Sequence, residues 1–211
     1  MEGNGVLTEF GGIAVHDCWS PYWKHNGITH AVCNAHLLRE LTGVEQYSPE
    51  HKWAPGFKTL LRSMKKAREK AVAKGKTELS CYYFRKFDTE YDRLMKLADE
   101  ECPLPADPPQ KKNGRKKKGK ERSLIERLMA LKASVCLFID NFNVPFDNNQ
   151  AERDIRMIKV KTKVSGCFRT EEGARDYLKI MSYIGTAHKQ GYNAYEAIKN
   201  AISGNPDFIF G

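Results

Sequence analysis

The sequence has no secretory apolar core at its N-terminus and no apolar run long enough to span a membrane. Neither secretion nor a membrane-spanning helix is expected. The six cysteines, Cys18, Cys33, Cys81, Cys102, Cys136 and Cys167, show no framework spacing, so a disulfide scaffold is excluded too. Free thiols in a reducing, cytoplasmic setting are expected. No internal repeat is present, which removes solenoids and propellers. There is neither a glycine-rich phosphate loop of the P-loop type nor a Ser-His-Asp elbow.

What is present is a chain of 211 residues, 41% apolar with ten phenylalanines, enough for one sizeable core with room for an insertion. The formal net charge is +9, but its placement matters more than its size. The stretch Pro103 to Arg122 alone carries eight Lys/Arg against Asp107 and Glu121, leaving the remainder only mildly basic. Excess positive charge points to a polyanionic partner, with nucleic acid the leading class. The Lys111 to Arg122 block suits phosphate contact without sequence readout, and equally suits a solubilising linker.

Gly12 to Cys18 is a short apolar run ending in His16-Asp17, and Ile28 to Cys33 is a second. They read as two buried strands, with Asp17 at the carboxyl end of the first. Between them Ser20-Pro21 starts a helical turn through Trp23. The short separation suits a parallel pair joined by a compact crossover. In open α/β sheets, ligand sites lie outside the carboxyl ends of the strands, where Asp17 falls.

Helical spacing then dominates. A helix begins at Asn34 and reaches at least Leu41. Phe57, Leu60, Leu61, Met64 and Ala67 mark a second over Gly56 to Lys74. Tyr82 to Ala98 and Leu124 to Ile139 continue the pattern. Pro103 to Lys120 has four prolines and no apolar period, and reads as a solvated loop. After a turn over Asn141 to Asn149, a helix is expected from Gln150 to about Lys161, with Ala151, Ile155 and Ile158 on its buried side. Val164 to Arg169 reads as a short extended piece closing at Gly173. Helices over Ala174 to Lys189 and Asn193 to Ile202 follow, with Gly191 ending one and Asn193 capping the other.

The segment Asp147-Asn148-Asn149-Gln150-Ala151-Glu152-Arg153 carries the most chemistry. Glu152 falls in the first helical turn, with Arg156 and Lys159 at i+4 and i+7 on the same side and Lys163 continuing the stripe. A carboxylate beside a cationic stripe suits metal-dependent chemistry on a phosphodiester: the acid holds a divalent ion, and the cations hold the backbone. Asn149-x-x-Glu152 also fits a capping box, and the cations also fit a solvated face. Asp17 fits either a metal ligand or a cap for the turn before Trp23. Cys33-x-x-His36 supplies half of a zinc site, but no second CxxC or HxxxH completes it. His16, Cys18 and His30 reach such a site only through the fold. A structural cysteine and a hydrogen-bonded histidine are favoured over zinc.

Four pieces in order resemble the C-terminal part of the catalytic domain of insertion sequence 66 family transposases. They are Asp17 with Trp19 and Tyr22; Cys33-Asn34-Ala35-His36 with Arg39; Asp147 to Arg153 with Ile155-Arg156; and Lys161-Thr162-Lys163 through Gly166, Phe168 and Gly173-Ala174. The resemblance spans about Gly12 to Ile202. It implies an α/β chain with a partial ribonuclease-H-like fold and a large, mostly helical insertion. It also implies a DDE carboxylate triad binding two Mg²⁺ (or Mn²⁺) ions. Asp17 matches the family's second aspartate and Glu152 its glutamate; Cys33 and His36 match its C-x-x-H signature. Residues 1–41 would form the truncated core, 42–141 the insertion and 142–211 the core's C-terminal helices. The implied activity is phosphoryl transfer in DNA transposition, with Arg153, Arg156, Lys159 and Lys163 along the DNA. The implied partners are transposon-end and target DNA, and a full-length transposase or an upstream fragment. The family's first aspartate has no match: residues 1–11 contain Glu2 and Glu9 but no Asp. The strands of the first hairpin and the DNA-end-recognition region are likewise unmatched. The expectation is therefore a piece of an enzyme, inactive alone, with a non-catalytic DNA-binding remnant or an interfering partner of an intact transposase as the alternative.

Overall fold

The computed structural model describes residues 10–104 and 119–206. Its elements form two compact units, residues 1–148 and 149–211. The architecture is mixed α/β and mostly helical. The proline- and lysine-rich segment falls largely outside the described residues, at 105–118. No described helix is long and apolar enough to cross a membrane.

The first unit starts with a two-stranded parallel sheet, β1 (Ile13–His16) and β2 (Thr29–Val32), in which Ile13 pairs with Thr29 and His16 with Val32. The connection carries a short 3-10 turn at Tyr22–Lys24, so both the parallel sense and the compact crossover expected from the sequence are present. β2 runs straight into α1 (Asn34–Tyr47). α2 (Trp53–Val72) and α3 (Cys81–Glu101) follow as a helical pair, then α4 (Lys120–Ala130) and α5 (Lys132–Asp140). Strand and helices share one core. Ala31 and Val32 of β2 and Leu37 and Leu41 of α1 belong to the same apolar cluster as Trp53, Phe57, Tyr91, Leu128 and Phe138.

Leu124 to Ile139 reads as one helix in the sequence, yet the structure breaks it at Leu131, whose φ and ψ are −109° and 21°. Next to the break, α3 contributes a contact: the buried Tyr91 hydroxyl donates to the Leu128 carbonyl at 2.8 Å, one turn before Lys132. Lys132 opens α5, held by Asp88 and Asp92, each at 2.6 Å.

The head of α2 has no cap from its own sequence; Lys52 contributes no side-chain bond. Glu101, the last residue of α3, supplies it. Its Oε2 accepts the amides of Lys52 and Trp53 at 2.8 and 3.0 Å, placing an anion at a helix N-terminus. Glu121 in the first turn of α4 accepts the Trp53 indole N–H at 2.8 Å, the His51 Nδ1–H at 2.6 Å and the Ser48 hydroxyl at 3.2 Å.

The second unit comprises α6 (Asn149–Ser165), α7 (Glu171–Lys189) and α8 (Ala194–Ile202). Three expectations are corrected here. α6 extends past Lys161 and takes in Val164 and Ser165; it stops where Gly166 adopts a left-handed φ of 75°. α7 begins before Ala174, because the Thr170 hydroxyl accepts the Gly173 amide at 3.0 Å and caps the helix there. The expected buried side of α6 is bare: Ala151 is exposed, Ile155 is 46% exposed and only Ile158 is half-buried. Asn193 does cap α8, accepting the amides of Tyr195 and Glu196. Buried apolar contact within this unit reduces to Ala187 and Ala197 with Tyr183 against them.

The Glu121 hydrogen bond raises the His51 pKa above its ordinary 6.5, against a burial effect that lowers it. A raised value in the folded state adds stability that is complete below 6.5 and is lost as pH rises through the elevated value. Urea midpoints of wild type and His51→Ala should therefore differ most in mild acid and converge at alkaline pH. A gap that does not change with pH would remove the charged His51–Glu121 pair.

Candidate functional site

β1 ends in a turn that few sequences would adopt. Cys18 has φ of +67°, the left-handed region that favours glycine, and it is the one described non-glycine residue to do so. His16 supports the kink. Its ring is 4% exposed, stacked on Tyr22 with centroids 4.8 Å apart and met edge-on by Trp23 at 4.9 Å. His16 Nδ1 accepts the Cys18 amide at 3.3 Å. An amide can only donate, so the His16 proton sits on Nε2. That Nε2–H donates to His30 Nδ1 at 3.0 Å, and His30 Nε2–H donates to the His25 carbonyl at 3.1 Å. The chain of bonds is directional and complete with both imidazoles neutral. Burial, then His30, holds the His16 pKa below its ordinary value, with Asp17 opposing.

Between the buried His16 and the kinked Cys18, the Asp17 side chain stands exposed. One oxygen, Oδ1, accepts the Trp19 amide at 3.1 Å. This is the local turn bond that the sequence offered as an alternative to metal ligation, and it engages one of the two carboxylate oxygens. A carboxylate with hard oxygen donors on a braced turn fits a Mg²⁺- or Mn²⁺-type ion.

Cys33 sits at the β2–α1 junction, fully buried. Its Sγ accepts the Asn148 amide at 3.2 Å, and the next residue's amide, from Asn34, donates to the Phe146 carbonyl at 3.1 Å. The buried Asn34 side chain donates to the Val135 carbonyl at 3.2 Å. The thiol thus fastens the segment leading to α6 onto the head of α1. His36 follows one turn later, its amide donating to the Cys33 carbonyl at 3.0 Å.

In the second unit Glu152 occupies the first turn of α6, half-buried. Arg153, Arg156, Lys159 and Lys163 are all exposed, and none forms an ion pair with another described residue. Asp154 of the same helix is engaged by Lys189 of α7 at 2.5 Å and by Gln150 at 3.1 Å. The stripe therefore keeps its full charge, which a solvated face tolerates and a polyanion exploits.

The His16–His30 relay and the Cys33–Asn148 bond are absent from the sequence reading. The signal for the first was two histidines on adjacent parallel strands; nothing in the sequence signals the second.

Comparison with known proteins gives one positive result: the family model described as "Transposase IS66 family" matches residues 3–176. No curated protein and no solved structure matches the chain.

Cysteine burial makes the junction testable. Alkylation of the folded protein should modify the exposed Cys81 and Cys167 and spare Cys33. Burial pushes the Cys18 thiol up to about 11 and the Cys136 thiol up to about 12, so both should react slowly at neutral pH. Peptide mapping by mass spectrometry reads all six. Modification of Cys33 at the rate of Cys81 would remove its role as a buried fastener.

Proposed function

Because the chain belongs to the Transposase IS66 family, whose pattern covers residues 3–176, we propose that it acts in DNA transposition by DDE-type, metal-dependent phosphoryl transfer. The observation that carries this reading is Asp17: an exposed carboxylate at the carboxyl end of a parallel strand, held by a left-handed turn. Backbone strain of this kind, of order 1–3 kcal/mol, concentrates at functional sites.

Asp17 and Glu152 are the proposed metal ligands, within a ribonuclease-H-like core of residues 1–41 and 142–211 that residues 42–141 interrupt. Carboxylates are the donors that Mg²⁺ and Mn²⁺ take. The chemistry such ions bring when bound is Lewis-acid polarisation of the attacking and leaving oxygens of the phosphodiester. The protein's own work is positional. The His16–His30 relay fixes the Asp17 turn. Arg153, Arg156, Lys159 and Lys163 run along the DNA backbone, and Arg156, with its fork, suits two phosphate oxygens at once.

A second reading, a non-catalytic DNA-binding remnant that joins an intact relative, draws on the apolar surface of the second unit. Ile155, Met157, Val164 and Ile180 are 46%, 54%, 78% and 57% exposed. Such a surface suits mixed assembly.

Strand transfer of labelled transposon-end DNA by the protein should fall to background in Glu152→Gln, with DNA binding retained. Wild-type activity in that variant sinks the catalytic reading. For the cationic stripe, Arg156→Ala with Lys159→Ala should lower the slope of log K against log salt by about 2 on duplex DNA, roughly 0.9 for each phosphate no longer neutralised. An unmoved slope takes α6 out of the interface.

A further inference from the structure

The first unit carries a second cationic surface, away from Asp17 and on different elements from the α6 stripe. A groove of about 620 Å³ runs between α2 and α3. Leu60 and the 5%-exposed Phe87 form its floor; Lys66 and Lys70 of α2 and Lys86 of α3 stand along it, with Tyr83 among them. The three lysines are exposed, and none is in an ion pair with another described residue. Glu90, the one acid lining the groove, is already taken: Arg93 holds both its oxygens, at 2.8 and 2.7 Å. The groove is therefore purely cationic in effect. Residues 62–76 hold seven Lys/Arg and one acid, Glu69, so the surrounding field has the same sign.

The floor is apolar and partly aromatic. The Tyr83 ring is 42% exposed and lies against Phe87 with centroids 5.8 Å apart, while Tyr82, 68% exposed, meets Tyr83 edge-on at 5.6 Å. Two adjacent exposed tyrosine rings offer flat apolar faces beside the lysines. Lysines one helical turn apart, about 6 Å, match the order of one nucleotide step along a strand. Cations that follow a backbone, beside aromatic faces on which bases stack, are the two components of single-strand recognition. A duplex keeps its base faces inside the stack and would leave the apolar floor unused.

We propose that the α2–α3 groove binds a single strand of DNA. Phosphates lie against Lys66, Lys70 and Lys86, and a base stacks on Tyr83. The site shares no residue with the proposed Asp17 and Glu152 machinery and does not depend on it.

The test is fluorescence anisotropy of the full chain with a short labelled oligothymidylate across a salt series. Lys66→Ala, Lys70→Ala and Lys86→Ala together should weaken binding at least about tenfold at low salt and lower the slope of log K against log salt by about 2, at roughly 0.7 per phosphate. Tyr83→Ala should cost about fivefold or more with the slope unchanged, and Tyr83→Phe should restore affinity. All four positions are exposed, so thermal unfolding followed by circular dichroism should not move. Unchanged affinity and slope in the triple-lysine variant would overturn the proposal. An equal loss on duplex of the same sequence would overturn the single-strand assignment, as would competition by an acidic peptide at the oligonucleotide's own affinity. The α6 reading fails separately: if the groove variant loses single-strand binding while Arg156→Ala with Lys159→Ala changes nothing, the groove stands and α6 does not. The reverse result removes the groove alone.

Discussion

The Trp53 indole is fully buried, and its N–H must still find an acceptor; that requirement organises the first unit. Glu121 meets it from the head of α4, and Glu101 meets the backbone amides at the same place from the tail of α3. Two carboxylates thus gather three helices around one side chain. An unmet indole or an uncapped helix head costs about 1–3 kcal/mol, so the arrangement is enforced by what its absence would cost more than by what each bond adds. From this point α2 runs on past Phe57, which meets Tyr91 edge-on at 4.9 Å, and Gly56, where a side chain would strike Leu94 at 2.7 Å. The close approach of α2 to α3 sets the walls of the lysine-lined groove.

The β1 turn follows a different logic. It is built from rings rather than aliphatic packing, and its hydrogen bonds pass in one direction from the Cys18 amide to the His25 carbonyl. The result is a carboxylate in water mounted on a dry base. Asp17 and Glu152 belong to separate compact units. The last residues of the first unit are held by the Cys33 thiol, which accepts the Asn148 amide, and by the Asn34 amide, which donates to the Phe146 carbonyl.

Local features were legible in the sequence. The apolar runs and their short separation yielded a parallel pair, and the apolar period located α2, α3 and α7, because these depend on neighbours close in the chain. Asn193 announced its cap for the same reason. What escaped depends on groups distant in sequence. The Tyr91 bond beside the Leu131 break and the Glu101 cap of α2 both arrive from another helix; neither leaves a mark in the segment it meets. α6 shows another limit. Its periodicity told which side was apolar, but period carries no information on whether anything covers that side, and Ile155 stands 46% exposed. For Glu152 the capping box and the metal ligand use the same residue types at the same spacing, so the sequence left both open. The family match at residues 3–176 takes in Glu152 without choosing between the two.

Glu101 and Glu121 both end on Trp53, so the chain between them leaves and returns at a single point. The two carboxylates act as a clasp on residues far apart in sequence but joined in space. The free energy of bringing two points of a flexible chain together grows only with the logarithm of the length between them, about 0.6 kcal/mol for each doubling. A change in the number of residues between Glu101 and Glu121 therefore costs the clasp little.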